Sequence, residues 1–365
     1  MPISRNRIVI IVLTMALLAF MVWQFATIIF YVFTAVILSL LGRPILKLLD
    51  KVTIKGWMLP EALKAVLTLL TLFGLITLLF TLFLPPLIEQ TRALENVNVE
   101  AIARGLEEPI AWAEDLARRY ELTEEDLSLE EYLRTKVLSV VDATRISNIA
   151  GAIVGFTGDF FIAAFSVVFI TFFFLKERKL PHQIMLVLTP DPYVDQVNRI
   201  VATAKPLLTR YFVGVFIEVL LVGGLISLGL SLVGVDNALV IGFLAGLFNV
   251  IPYVGPIIGA TLGVVLTTLG NLNLDFYSGM LPLIGKALAV FLVVQLVDNF
   301  VFQPLIYSNS VKAHPLEVFL VILMAGSLAG VGGMILAIPA YTMFRVVARE
   351  FFNEFKVIQS LTRSL

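Results

Sequence analysis

The sequence predicts an all-α, polytopic helical membrane protein. It has about eight hydrophobic segments, two of them broken or re-entrant, plus an amphipathic helical insert outside the membrane. Three observations predict it. Of 365 residues, 59% are hydrophobic, and the mean hydropathy is +0.96. A soluble chain has no means of hiding that much apolar surface, whereas a helix in lipid satisfies its own backbone polar groups. The apolar residues gather into runs near the ~20 that a spanning helix needs. One internal stretch, 85–149, departs from that composition altogether.

Ile8–Leu41 is 34 residues without a charge, too long for one span and just enough for two short helices, with Trp23-Gln24 as the joint. It is also too long for the apolar core of a cleaved signal, so it reads as an uncleaved anchor. Ala65–Leu84 is a single span that completes an N-terminal transmembrane region, residues 1–84. Residues 150–365 form the transmembrane core. Its segments are Ala150–Leu175, Tyr211–Val235, Asn237–Leu274, Ala287–Leu305 and Val318–Phe344. The third is interrupted by Pro252 and Pro256, the fifth by "AGVGG" at 329–333. The connection 176–210 reads as a turn and a surface helix.

Residues 85–149 carry 14 acidic and seven basic side chains. Ser128 and Glu131 match a capping box, and Pro109 suits a first helical turn. Apolar residues three and four apart in "IAWAEDLARRY" complete the signature of a helical insert. The charge pattern fixes an orientation. Arg5, Arg7, Arg43, Lys47, Lys51, Lys55, the basic residues of 176–210, and Arg345 and Arg349 belong in the cytoplasm. Both termini are then cytoplasmic and the insert faces outward. Re-entrant hairpins at 237–274 and 318–344 place "NLNLDFYSG" outside and Lys312 inside. Crossing helices do the reverse and fit the charges less well. "VFIEVLLVGG" (215–224) parallels "VFLVVQLVDN" (290–299), and each precedes a broken segment. An inverted repeat of span plus broken helix is a recurrent transporter design.

Two motifs carry the chemistry. Within Ala287–Leu305, Gln295, Asp298, Asn299 and Gln303 recur three and four apart, on one helix face. Val293, Leu296, Val297 and Phe300 take the other. A charge at membrane depth costs roughly 2.5 kcal/mol or more, so Asp298 must look into protein or a wet cavity. Glu218 falls under the same argument. In "GLFNVIPYVGPIIGATLG" (246–263), Asn249, Pro252, Tyr253, Gly255 and Pro256 mark a helix that stops and restarts. Irregular backbone at membrane depth is tolerated only inside protein or beside a cavity. Gly330 and Gly333 break the last segment in the same way. These residues form the candidate substrate- or ion-binding set. His314 before Pro315 reads as a cap.

The sequence excludes several classes. Cysteine is absent and there are two histidines, which removes thiol chemistry and multi-His metal sites. No phosphate-binding loop is present. A net charge of −1 gives no pull toward nucleic acid. No catalytic constellation is found, so no enzyme is expected, and no cofactor beyond a coupling H+ or Na+.

"NVIPYVGPIIGA", "VDNFVFQPLI" and "HPLEVFLVILMAGSLAGVGGMILAIPA", in this order, resemble the autoinducer-2 exporter family of bacterial permeases. The matching positions are Pro252, Tyr253, Gly255 and Pro256, then Asp298, Asn299, Gln303 and Pro304, then His314 and Pro315, then Gly330, Gly333 and Pro339. The resemblance implies a multi-pass bacterial inner-membrane permease exporting a small polar solute, with autoinducer-2 as the namesake. Sodium/proton antiport is the alternative it carries, and a non-transporting scaffold or sensor is a reading from another class. The lipid bilayer and the solute are the expected partners. Small-residue faces and the insert point to a homo-oligomer.

Overall fold

The computed structural model describes residues 17, 20, 21, 23–54, 57–95, 111, 119, 158–271, 274–307, 314–352 and 362. The capping box at Ser128 and Glu131, Pro109, Arg5, Arg7, Lys55 and Lys312 lie outside the described residues, as does most of the insert. The described chain divides into two compact units, residues 1–75 with 156–197 and residues 76–155 with 198–365.

In the first unit, α1 (Ala26–Leu49) leads through a two-residue strand pair, β1 (Thr53–Ile54) and β2 (Trp57–Met58). Then come the start of α2 (Glu61–Glu95), α3 (Gly158–Lys176) and a short α4 (Leu180–Val187). The expected joint at Trp23-Gln24 falls at Phe25, with φ −101° and ψ 17°. The helix does not stop at Leu41, because Leu46 buries its side chain with Ala65, Leu69 and Leu175 and draws the last two turns into the core. Gly42 lets α1 approach Thr68 and Leu175 closely.

Four charges tie the helix ends of this unit together. Arg178 donates from both terminal nitrogens to the Asp50 carboxylate at 2.7 Å, and Lys64 adds a third bond at 2.8 Å. Glu61 accepts from Lys64 and Arg178 at 2.9 Å each. The Arg178 guanidinium, and then Lys64, hold the Asp50 carboxyl well below the usual carboxylate range.

α2 is 35 residues long, about 52 Å at 1.5 Å per residue. It therefore outruns a ~30 Å hydrocarbon layer. The change of composition at residue 85 is not a break in the backbone, since the helix continues through Pro85 and Pro86 to Glu95.

The second unit contains the rest. α5 (Val194–Leu232) is one 39-residue helix with Pro206 inside it. A turn does precede it, but the expected surface helix and the following span are continuous. Next come α6 (Ala238–Phe248), α7 (Val254–Gly270), α8 (Leu281–Val297), a π-helical turn (Asp298–Phe302), α9 (Gln303–Tyr307) and α10 (Pro315–Phe351).

α6 and α7 form an antiparallel hairpin. Gly255 lies on Phe248, Gly259 on Ala245, and Gly263 near Ile241. α10 is a second hairpin. Ala329 (φ −138°, ψ 21°) and Gly330 (φ 59°, ψ −145°) leave helical geometry. Gly333 then lies against Ala325 and Gly326 against Met334. Tyr341 Oη donates to Glu317 at 3.0 Å, though a straight helix would hold residues 24 positions apart about 36 Å from each other. By length and composition five described stretches suffice to cross a membrane, Leu316–Phe351 among them. The fold-back at Gly330 makes that last one a hairpin.

A small cluster of Ile200, Ala204 and Val346 joins the start of α5 to the end of α10, and two larger cores organise the rest of this unit. One joins Val222, Ile226 and Leu230 of α5 to Ile241 and Ala245 of α6 and to Ala287, Phe291 and Val294 of α8. The other gathers Tyr211 and Val215, Ile251 at the first hairpin's tip, and Ile322, Ala337 and Ile338 of the second.

Candidate functional site

The polar residues of the second unit fall into two clusters. Glu218, on α5, is 3% exposed. Asn249, at the C-terminal end of α6, is also buried and donates from Nδ2 to Glu218 Oε1 at 3.4 Å. The pairing follows from the glycines. A Cβ on Gly246 would stand 2.6 Å from the Val219 carbonyl oxygen, and one on Gly223 would stand 3.1 Å from that of Gly242. Only backbone-to-backbone contact brings the hairpin tip within reach of a glutamate on α5.

The second cluster sits at the end of α8. Asp298 is fully buried. Gln303 Nε2 donates to Asp298 Oδ2 at 2.9 Å and to Asn299 Oδ1 at 3.1 Å, and Gln295 Nε2 donates to Asn299 Oδ1 at 3.0 Å. Among the described residues Asp298 Oδ1 has no hydrogen-bond partner. The four residues are brought together, but not on one buried face. Ala287, Phe291, Val294 and Asp298 form the inward stripe. Asn299 is exposed and Gln295 half-buried. The π-helical turn inserts an extra residue, which turns Asn299 outward and lets Gln303 reach back five positions to Asp298. Of the expected apolar face, Val293, Leu296 and Phe300 are outward, whereas Val297 is half-buried.

At the first hairpin's tip, Tyr253 has φ 66° and ψ −46°. The Val254 N–H donates to the Pro252 carbonyl at 2.8 Å. This is a γ-turn with positive φ, a rare and strained conformation. A non-glycine residue held there costs of order 1–3 kcal/mol, and such strain gathers at ligand sites. The Tyr253 ring meets Phe319 edge-on at 6.0 Å. Gly255 is required because a Cβ would meet the Phe248 carbonyl. Pro256 lies in the first turn of α7, where a missing N–H leaves nothing unpaired.

The clusters approach each other across a cavity of about 260 Å³ between α5, the first hairpin and α8. Asn249 contributes from one cluster and Gln295 from the other. Val222, Ile226, Ala260 and Phe291 are among its apolar walls, and Pro256 borders it. Gly330 and Gly333 do not line it. Gly330 is exposed at its own turn, and Gly333 makes the close approach within the second hairpin. The apolar lining was not signalled by the sequence, since a residue that walls a cavity and one that fills a core carry the same letter. Among the described residues no three His, Cys, Asp or Glu side chains stand close enough to share a metal ion. His314 caps α10, its Nδ1 accepting from the Leu316 N–H at 3.2 Å.

Comparison with known proteins agrees with this architecture. A family model described as "AI-2E family transporter" matches residues 8–353. The chain is 27% identical over 350 residues to "Putative transport protein YueF" of Bacillus subtilis (strain 168), covering 93% of this chain and 87% of that protein. It is 27% identical over 220 residues to "Putative transport protein YrrI" of the same organism, 60% of each chain. It is 25% identical over 235 residues to "Putative permease PerM" of Escherichia coli (strain K12), again 60% of each. These relatives are named for transport rather than catalysis. The chain belongs to the AI-2E family of transporters and is a multi-pass, non-enzymatic membrane transport protein.

Proposed function

We propose that this chain is a secondary transporter of the bacterial inner membrane, with both termini cytoplasmic, that exports a small polar solute coupled to a proton or sodium gradient. Autoinducer-2 is the first solute to try, since the resemblance supplies it. The observation that carries the reading is Asp298, a carboxylate with no exposure and, among the described residues, one oxygen without a partner. A buried charge left unpaired is costly, and a proton or a monovalent cation relieves it. In this reading Asp298 takes the coupling ion. Asn249, Gln295, Asn299, Gln303 and Glu218 supply the polar contacts of the solute path, and the strained tip at Pro252–Pro256 forms one end of it.

The hairpin lengths support re-entry rather than crossing. α6 has 11 residues and α7 has 17, about 16 and 25 Å, both short of a ~30 Å core. With α5 running outward from the cytoplasm, the first hairpin enters from outside and the second from inside. Span plus hairpin, used twice in opposite senses, is the inverted pair the sequence suggested.

The test is Asp298→Asn in proteoliposomes, measuring autoinducer-2 efflux under imposed proton and sodium gradients. Loss of the gradient dependence is expected. Unchanged flux and unchanged pH dependence would remove Asp298 from coupling. Sodium-driven proton movement without any solute, abolished by the same substitution, would favour the antiporter reading.

A further inference from the structure

α4 has an arrangement opposite to that of a helix docked on a water-soluble surface. It is eight residues long and buries none of them. Its half-buried positions are Leu180, Pro181, His182 and Leu186, and of these His182 and Leu186, four apart, mark the side that faces the protein. The face turned away carries Ile184, Met185, Val187 and Leu188, and Val187 is 86% exposed. At 100° per residue these four cover one continuous arc over the last turn and a half, with Leu180 and Pro181 half-buried beneath it in the first turn.

The place of α4 along the chain says what covers that arc. α3 is an apolar helix that ends at Lys176. Arg178, two residues later, is bound to Asp50 and Glu61, which sit at the end of α1 and the start of α2. A network of four charges needs water, so the ends of α1, α2 and α3 lie at one membrane surface. α4 starts two residues after Arg178 and has no length in which to leave that surface. Lys47 and Lys51 flank Asp50, and Lys176 and Lys179 flank Arg178, so basic side chains outnumber acidic ones at this level.

We infer that α4 is an interfacial helix, its outward face set among the acyl chains of an anionic lipid surface and Lys179 paired with the headgroups. A short helix with an apolar face beside basic residues is the ordinary form of such an anchor. It holds the turn between α3 and α5 at a fixed depth.

The native chain has no cysteine, so single labels are clean. Val187→Cys, Leu188→Cys and Gln183→Cys each replace an exposed side chain and spare the fold. Each full-length variant is labelled with an NBD fluorophore and placed in vesicles of phosphatidylethanolamine and phosphatidylglycerol. The expected result is blue-shifted emission at 187 and 188, lost on adding doxyl-labelled phospholipid, with aqueous iodide quenching stronger at 183. Iodide quenching at 187 equal to that at 183, with no doxyl effect, overturns the inference. So does energy transfer between labels on separate copies without doxyl quenching, which would put a second chain on this face. Replacing phosphatidylglycerol by phosphatidylcholine is expected to weaken the doxyl effect at 187. No change would overturn the assignment to anionic lipid.

Discussion

The two helical hairpins of the second unit are alike in outline and opposite in construction. The first turns through five residues around a proline and a strained tyrosine, and its first limb, α6, is pressed on α5 by close contacts at Gly242 and Gly246. The second turns through two residues at Ala329 and Gly330, with open space beside Gly330. One is shaped by what surrounds it, the other by its own backbone. A turn of the first kind fails when something no longer fits. A turn of the second kind fails when the chain no longer tolerates the torsion.

That contrast can be broken by substitution. The largest effect is expected at the first hairpin. Gly246→Leu forces a side chain where a Cβ already meets the Val219 carbonyl oxygen at 2.6 Å and the Gly223 Cα at 2.8 Å. The hairpin has to lift off α5, at a cost of about 3 kcal/mol or more. A thermal melt in detergent should fall steeply, and an unchanged melt would mean that the seam is looser than it stands here.

Gly330→Ala comes next. It has no steric partner, so its cost is conformational alone, of order 1–3 kcal/mol at φ 59° and ψ −145°. The same melt should drop less than for Gly246→Leu. If the two drops are equal, crowding and torsion are not the separate causes proposed for the two turns.

Asp50→Asn serves as the reference outside both hairpins, with the smallest effect. Arg178 and Lys64 hold the Asp50 carboxyl below its ordinary range. The stability it adds is therefore complete above the normal aspartate pKa and is lost as pH falls through the depressed one. The ion pairs are partly exposed, so water screens them and each contributes little. Melting measured from neutral pH downward should show a shallower acid-side loss in the variant than in the native chain.

The same contrast explains what was legible in the sequence. A proline announces its consequence because it lacks a donor, and the break expected at Pro252 is where the chain turns. Pro256 carries the same letter but sits in a first helical turn, where it breaks nothing. The glycine break was visible as a cluster, but Gly330, Gly332 and Gly333 look alike in the sequence. Only the structure shows that Gly330 takes the positive φ and Gly333 the close contact. Pro206 leaves α5 unbroken, so the surface helix read within 176–210 and the span after it are one helix. In the candidate site, burial of Asp298 and Glu218 followed from the cost of charge in lipid. The outward turn of Asn299 did not, because a π-helical turn is set by packing and leaves no spacing in the sequence. The γ-turn at Tyr253 was hidden for the same reason, since tyrosine is not a residue that advertises a positive φ.

The seam between α5 and the first hairpin has a mechanical consequence. Where side chains separate two helices, rotamer changes let one slide a little over the other. At Gly223, Gly242 and Gly246 main chain rests on main chain, with the Ser227 side chain wedged beside Gly242. α5 and the hairpin therefore travel as one piece or part completely, and any partial movement has to be found elsewhere in the molecule.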